Sequence, residues 1–191
     1  MNHLAHAWLT PGMDPFELAG NVLGDYFLAD KLSDLSAPVR RGFQLHQRID
    51  RFADHHPDYK KARELISPER RRYAPVLLDV YFDLYLAEIW TTSEELPGYL
   101  KRFTDHVSEQ LLPVLPSIPL RYPDSITRMV KAQWLDDYTD QRRVRRVFHG
   151  LSRRARPGNP LEGAETEYYE NAQAFEPAFQ ALFKDLKNEI Y

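Results

Sequence analysis

Apolar residues recur at three- and four-residue spacing along almost the whole chain, and apolar/polar alternation of the kind that marks a half-buried strand is nowhere sustained. The pattern predicts an all-α protein, a single-domain multi-helix bundle over residues 1–191. Met1 to Leu9 reads as a short opening helix carrying His3 and His6, ended by Thr10-Pro11-Gly12. Asp14-Pro15-Phe16-Glu17 combines a capping aspartate, a proline at the first helical position and an acid three residues after the cap, so a helix starts there and runs to about Ala29. After a break at Pro38 the next helix ends near His55-His56-Pro57, and Ser67-Pro68 starts a short one that Pro75 kinks or restarts. Val76 to Trp90 is apolar almost all round, as a buried central helix should be. Ser93-Glu94-Glu95 leads into a helix ending near Leu112, and Pro113, Pro116 and Pro119 make a stiff connection. Asp124 or Ser125 caps the following helix, with Trp134 and Leu135 facing inward. Arg142 to His149 continues the helical spacing, Ser152 to Pro160 is a basic loop, and Glu162 to Ile190 is a last long helix bent at Pro177.

Three pairs of polar residues break the amphipathic pattern, because each lies on a helix whose other residues read as core. At about 100° per residue, His46 and Asp50 fall in the same arc as Phe43, Ile49 and Ala53. Asn21 and Asp25 are likewise one turn apart, and so are Asp79 and Asp83 within the central helix. A carboxylate facing a core needs a charge partner or a metal, since an isolated buried ion is prohibitively unstable. A helical bundle builds metal sites from such inward-facing side chains on neighbouring helices. The plainer reading pairs each acid with an arginine such as Arg48 or Arg72 and makes each histidine a hydrogen-bonded core residue. Three pairs occurring together favour a site. Asp54, eight residues after His46, lies near the same face and is placed to orient a ligand from behind. Gly20 and Gly24, four apart, each weaken a helix by roughly 1 kcal/mol relative to alanine unless a close backbone approach needs them.

Composition narrows the chemistry. The chain has 191 residues, 43% of them hydrophobic, and a formal net charge of -3, which argues against disorder and against a globally basic nucleic-acid binder. There is no cysteine, so disulfides, thiolate zinc sites and cysteine nucleophiles are excluded together. Carboxylates and imidazoles without thiolate suit manganese, magnesium, iron or zinc. No apolar run approaches a membrane span and the N-terminus lacks the basic and apolar regions of a signal peptide, so a cytoplasmic location is expected. Against the acidic balance, Arg142, Arg143, Arg145, Arg146, Arg153, Arg154 and Arg156 crowd into one short span. Such a run is either a solvated face or a dock for an acidic protein or phosphate-rich ligand; the absence of interleaved aromatic residues speaks against RNA.

These fragments, taken in order, resemble the acyl carrier protein phosphodiesterases. Asn2-His3-Leu4-Ala5-His6 is similar to that family's Asn-x-Leu-Ala-His opening, and Gly20-Asn21-Val22-Leu23-Gly24-Asp25 to its Gly-Asn-x-x-x-Asp segment. His46-Gln47-Arg48-Ile49-Asp50 with Asp54 is similar to His-x-x-Ile-Asp-x-x-x-Asp. Arg72-Tyr73-Ala74-Pro75 through Asp79 and Asp83 resembles the next block, with Gln133-Trp134-Leu135 and Ser152-Arg153-Arg154 further on. The resemblance implies a helical, manganese-dependent enzyme of HD-domain-like fold, with its metal site between central helices, that removes phosphopantetheine from the serine of holo acyl carrier protein. No histidine is directly followed by aspartate in this chain, so residues are matched only to the closer family and not to HD enzymes. On that basis Asp25, His46, Asp50 and Asp79 hold the Mn2+ or its water, Asp83 completes or supports the set, and His6 assists as ligand or proton donor. Asp25, His46, Asp50 and His6 are then the catalytic candidates, with Asn21 and Asp54 behind them. Arg142, Arg143, Arg145, Arg146, Arg153 and Arg154 are the expected dock for the acidic carrier. Two other readings compete: an HD-like phosphohydrolase of nucleotides, and a non-catalytic helical module presenting its arginine face.

Overall fold

The computed structural model describes residues 3–92 and 98–191. Asn2 of the opening fragment and the expected helix start at Ser93-Glu94-Glu95 lie outside the described residues. Among the described residues the regular structure is helical, apart from one isolated bridge between Phe27 and Leu120. The α-helices are α1 (His3–Trp8), α2 (Pro15–Val22), α3 (Ala37–His55), α4 (Pro57–Leu65), α5 (Ala74–Thr91), α6 (Tyr99–Val114), α7 (Pro123–Lys131), α8 (Gln141–Arg154) and α9 (Ala164–Ile190). None is long and apolar enough to cross a membrane.

Helix α5 is the axis of the bundle. Leu77, Leu78, Tyr81, Phe82, Leu84 and Leu86 have no exposed surface, so beyond its exposed first turn neighbours cover it on several sides, as its largely apolar character requires. Helix α9 covers one flank through an aromatic layer in which Phe82 meets Phe179 and Tyr81 meets Phe175. On another flank lies α1, followed by the closely packed pair α2 and α3. That pair crosses at two glycines: a Cβ on Gly20 would strike the backbone of α3 at Val39, and one on Gly42 would strike the backbone of α2 at Glu17. The lost helix propensity of Gly20 is thus offset by backbone-to-backbone packing.

Several boundaries differ from the sequence expectation for identifiable reasons. Asp14 caps α2 as expected, accepting hydrogen bonds from Phe16 N and Glu17 N. The helix ends at Val22, however, and Gly24–Tyr26 forms a separate 3-10 turn, so Asn21 and Asp25 do not share one regular helix face. Ser67-Pro68 starts no α-helix; α4 precedes it, capped by His56 and opened by Pro57, and Arg71–Tyr73 is a 3-10 turn. Pro75 sits in the first turn of α5, where its missing N–H is harmless. Pro113 is contained in the last turn of α6, and α8 continues through Ser152, Arg153 and Arg154. Tyr122, rather than Asp124 or Ser125, occupies the cap position of α7. Trp134 and Leu135 are buried as expected.

Candidate metal centre

The site lies where α1, α2 and α3 converge, and it is built outward from Asn21. This side chain has no exposed surface. Its amide nitrogen donates to the His6 carbonyl at 2.8 Å and to Thr10 Oγ1 at 3.0 Å, while Thr10 Oγ1 donates to the same carbonyl at 3.0 Å. A carbonyl only accepts, so these bonds fix the amide's orientation and turn Oδ1 toward His6 Nδ1, 2.8 Å away. His6 Nδ1 must therefore carry the hydrogen. The backbone of the same residue does the equivalent for the second imidazole: His46 Nδ1 donates to the Asn21 carbonyl at 2.9 Å. One residue thereby sets both tautomers, leaving each Nε2 as the atom with a lone pair when the ring is neutral.

Both Nε2 atoms point at one carboxylate. His6 Nε2 lies 3.1 Å from Asp50 Oδ1 and His46 Nε2 lies 3.2 Å from Asp50 Oδ2. Asp25 Oδ1 stands 3.4 Å from His46 Nε2. Donor atoms of His6, His46 and Asp50 all fall within 4.8 Å of one another. The imidazoles are stacked with centroids 4.4 Å apart, so protonating both would set two cations face to face. Burial lowers the His6 pKa, against the pull of Asp50. Burial also works to lower that of His46, but the carboxylates of Asp25 and Asp50 outweigh it and the net shift is upward. If His46 alone is protonated, the His6 lone pair still faces a carboxylate oxygen. A cation between the three groups removes that conflict, and histidines held through Nδ1–H to oxygen acceptors are the usual form of imidazole ligands. The residues present fit a divalent metal, and two nitrogens with carboxylate oxygen suit manganese, iron or zinc.

Burial grades from floor to rim. His6 and His46 are buried, the Asp50 side chain is 34% exposed and that of Asp25 is 76% exposed. The opening is a cleft of about 570 Å³ lined by Asp25, Phe43, His46, Asp50, Arg51 and Asp54. His46 holds the Asp25 carboxyl below its ordinary range. At Asp50, burial opposes the charge, but the hydrogen bond from His6 and neighbouring positive charges overcome it and the carboxyl is held down. Gly24 gives His46 its room, since a Cβ there would lie 2.6 Å from the ring.

The remaining candidates are dispersed. Asp79 is half-buried beside the cluster, accepts a hydrogen bond from the Tyr59 hydroxyl at 3.3 Å, and is raised by burial and by the charge of Asp50. Asp83 is turned elsewhere: its two oxygens accept from Leu4 N at 2.9 Å and Ala5 N at 3.0 Å, and burial pushes its carboxyl up to about 7. Asp54 lines the exposed rim. Arg48 pairs with Glu189 and Arg72 stacks on Tyr73, so neither of the arginines named in the plainer reading serves these acids. On α8, Arg142, Arg145, Arg146, Arg153 and Arg154 are exposed, Arg145 also donating to the buried Glu165, whereas Arg143 is half-buried and faces Asp137. Thr10 and Tyr59 carry no signal that spacing alone could reveal.

The family described as acyl carrier protein phosphodiesterase matches residues 1–186. A protein of that name from Klebsiella pneumoniae (strain 342) is 35% identical over 155 residues, covering 81% of this chain and 79% of the relative. One from Serratia proteamaculans is 29% identical over 192 residues, covering 99% and 97%. No solved structure matches the chain.

Proposed function

Because this chain belongs to the acyl carrier protein phosphodiesterase family, we propose that it hydrolyses the phosphodiester joining phosphopantetheine to a serine of holo acyl carrier protein, with Mn2+ as cofactor. Water adds to phosphorus, the bond to the serine oxygen breaks, and a proton returns to that oxygen, leaving apo carrier and free phosphopantetheine. The observation that carries the reading is the convergence of two tautomer-locked Nε2 atoms on Asp50. His6, His46 and Asp50 would hold the cation, with Asp25 at the rim and Asp79 beside it. Such a cation supplies Lewis acidity, acidifying water and polarising a phosphoryl oxygen. Asp25, an exposed carboxylate ionised at neutral pH and open to the cleft, takes the proton of the attacking water. No protein nucleophile is required. Asp83, occupied by backbone amides, is left out of the ligand set.

The carrier docks on α8 in this reading. Arg154, in the last turn of α8, is near enough for its charge to be felt at Tyr26, the neighbour of Asp25. A negatively charged protein surface meeting Arg142, Arg146, Arg153 and Arg154 is steered toward the cleft. The cytoplasmic setting expected from the sequence is part of the same reading. The test is intact-mass spectrometry of holo acyl carrier protein incubated with the enzyme and Mn2+, with a chelated control and free nucleotides as competing substrates. Metal-dependent loss of the phosphopantetheine mass is expected; an unchanged carrier with hydrolysed nucleotides would overturn the assignment.

A further inference from the structure

A carboxylate that is fully buried and takes no part in the cleft requires its own explanation. Asp83 lies in the middle of α5 with no exposed surface, and both of its oxygens are engaged by consecutive amides of α1, Leu4 N and Ala5 N. The Tyr138 hydroxyl adds a third hydrogen bond from the turn Trp134–Thr139. Among the described residues helix α1 spans only six positions, His3–Trp8. A helix of that length does not hold together on its own propensity, and its first N–H groups have no partner within it. The partner here comes from 78 and 79 residues away in sequence, on the most deeply buried helix of the bundle.

The residue immediately after Ala5 is His6. The geometry points to Asp83 as a positioning residue: it pins the start of α1 to α5 and thereby fixes where His6 Nε2 stands relative to His46 and Asp50. Asn21 sets the tautomer and rotation of the His6 ring, and Asp83 sets the height of the helix that carries it. Metal–donor distances are confined to about 0.2 Å, so a small slide of α1 along α5 is enough to spoil one of the three donors. Asp83 and Asp79, one turn apart on α5, then have different duties: Asp79 stands at the cluster and Asp83 behind it.

The inference rests on the proposed metal centre, and the experiment keeps the two separable. Mn2+ binding to chelator-stripped protein is measured by calorimetry for the unmodified chain and for Asp83→Asn, Asp50→Asn, His6→Ala and the Asp83→Asn/His6→Ala pair. Ring nitrogen NMR of His6 and His46 is recorded in parallel. Asp83→Asn keeps one acceptor for α1 but turns an NH2 toward the second amide. It is expected to weaken Mn2+ binding about ten-fold and to have no further effect once His6 is gone, because its influence travels through that ring. Its NMR signature is a shift confined to the His6 nitrogens. Loss of binding as complete as in Asp50→Asn would make Asp83 a ligand and overturn the inference. A lowered melting temperature with unchanged affinity would make it merely structural, and an equal loss with and without His6 would also refute it. If the unmodified chain binds no divalent metal, the metal reading fails by itself, and the His6 ring shifts alone decide the positioning role.

Discussion

Replacing Asn21 by alanine separates the two halves of the proposed centre. The side chain is completely buried and makes three hydrogen bonds, to His6 Nδ1, the His6 carbonyl and Thr10. The His6 carbonyl keeps its bond from Thr10, so the principal loss is at His6 Nδ1–H, which is left without an acceptor in the interior. A buried donor deprived of its partner costs about 1–3 kcal/mol, and the vacated amide adds a small cavity, so destabilisation of roughly 2–4 kcal/mol is expected. Freed of Oδ1, His6 can place its hydrogen on Nε2, where it bonds to Asp50 and blocks a metal. His46 is unaffected because its acceptor is the backbone carbonyl, which alanine retains. Removing the group behind a metal-bound histidine typically lowers affinity about 10- to 100-fold, equivalent to roughly 1.4–2.7 kcal/mol. Calorimetric titration of Mn2+ into stripped protein reads the affinity, and ring nitrogen shifts read the tautomer of each histidine. Undiminished Mn2+ affinity, with His6 still protonated at Nδ1, would refute the argument that Asn21 organises the site.

Three further outcomes follow from other parts of the molecule. Gly24→Ala puts a Cβ 2.6 Å from the His46 ring, so hydrolysis should fall sharply, by an order of magnitude or so, while circular dichroism stays helical; full activity would show that the ring tolerates displacement. Reversing Arg142, Arg146, Arg153 and Arg154 to glutamate should raise KM for the carrier and flatten its salt dependence with little change in kcat, whereas Arg145→Glu should lower the melting temperature by stranding buried Glu165; an unchanged KM at low salt would remove α8 from docking. His3, stacked on Tyr26 and edge-on to Trp134, has its pKa lowered from 6.5 to about 4 by burial and then by neighbouring His6. The unfolded chain therefore takes up a proton that the folded one refuses. Relative to His3→Phe, the natural chain should lose stability as pH falls from 6.5 to about 4, by up to about 3 kcal/mol, with the difference constant above that window. Parallel denaturant titrations of the two proteins that showed no change in their difference would contradict it.

The elements most legible in the sequence are those with local chemistry at their ends. Asp14 caps α2 with the two backbone bonds its spacing implies, and α3 runs from just before Pro38 to His55. The buried, all-round apolar α5 was equally plain. Helix α4 was not, because Pro57–Leu65 is short, largely polar and exposed, and lacks a wide apolar stripe. The early end of α2 is hidden for the opposite reason: the Asn21/Asp25 spacing is compatible with helix, but the chain turns at Gly24, where it must clear the His46 ring.

The polar pairs show the same division within the site. Periodicity alone reveals that His46 and Asp50 share a face, and that Asp79 and Asp83 share another, because the angle between neighbouring side chains on a helix is a local property. It also establishes that these faces are out of keeping with a core, which is enough to flag them. Periodicity is silent about what stands opposite. His6 reaches Asp50 across 44 residues of sequence, and Asn21 reaches both histidines, one with its side chain and one with its backbone. Asp79 and Asp83 diverge because α1 begins over one of them and Tyr59 lies against the other. Which partner a polar side chain meets depends on how whole helices pack, and that packing is governed by features as small as two glycines where α2 crosses α3.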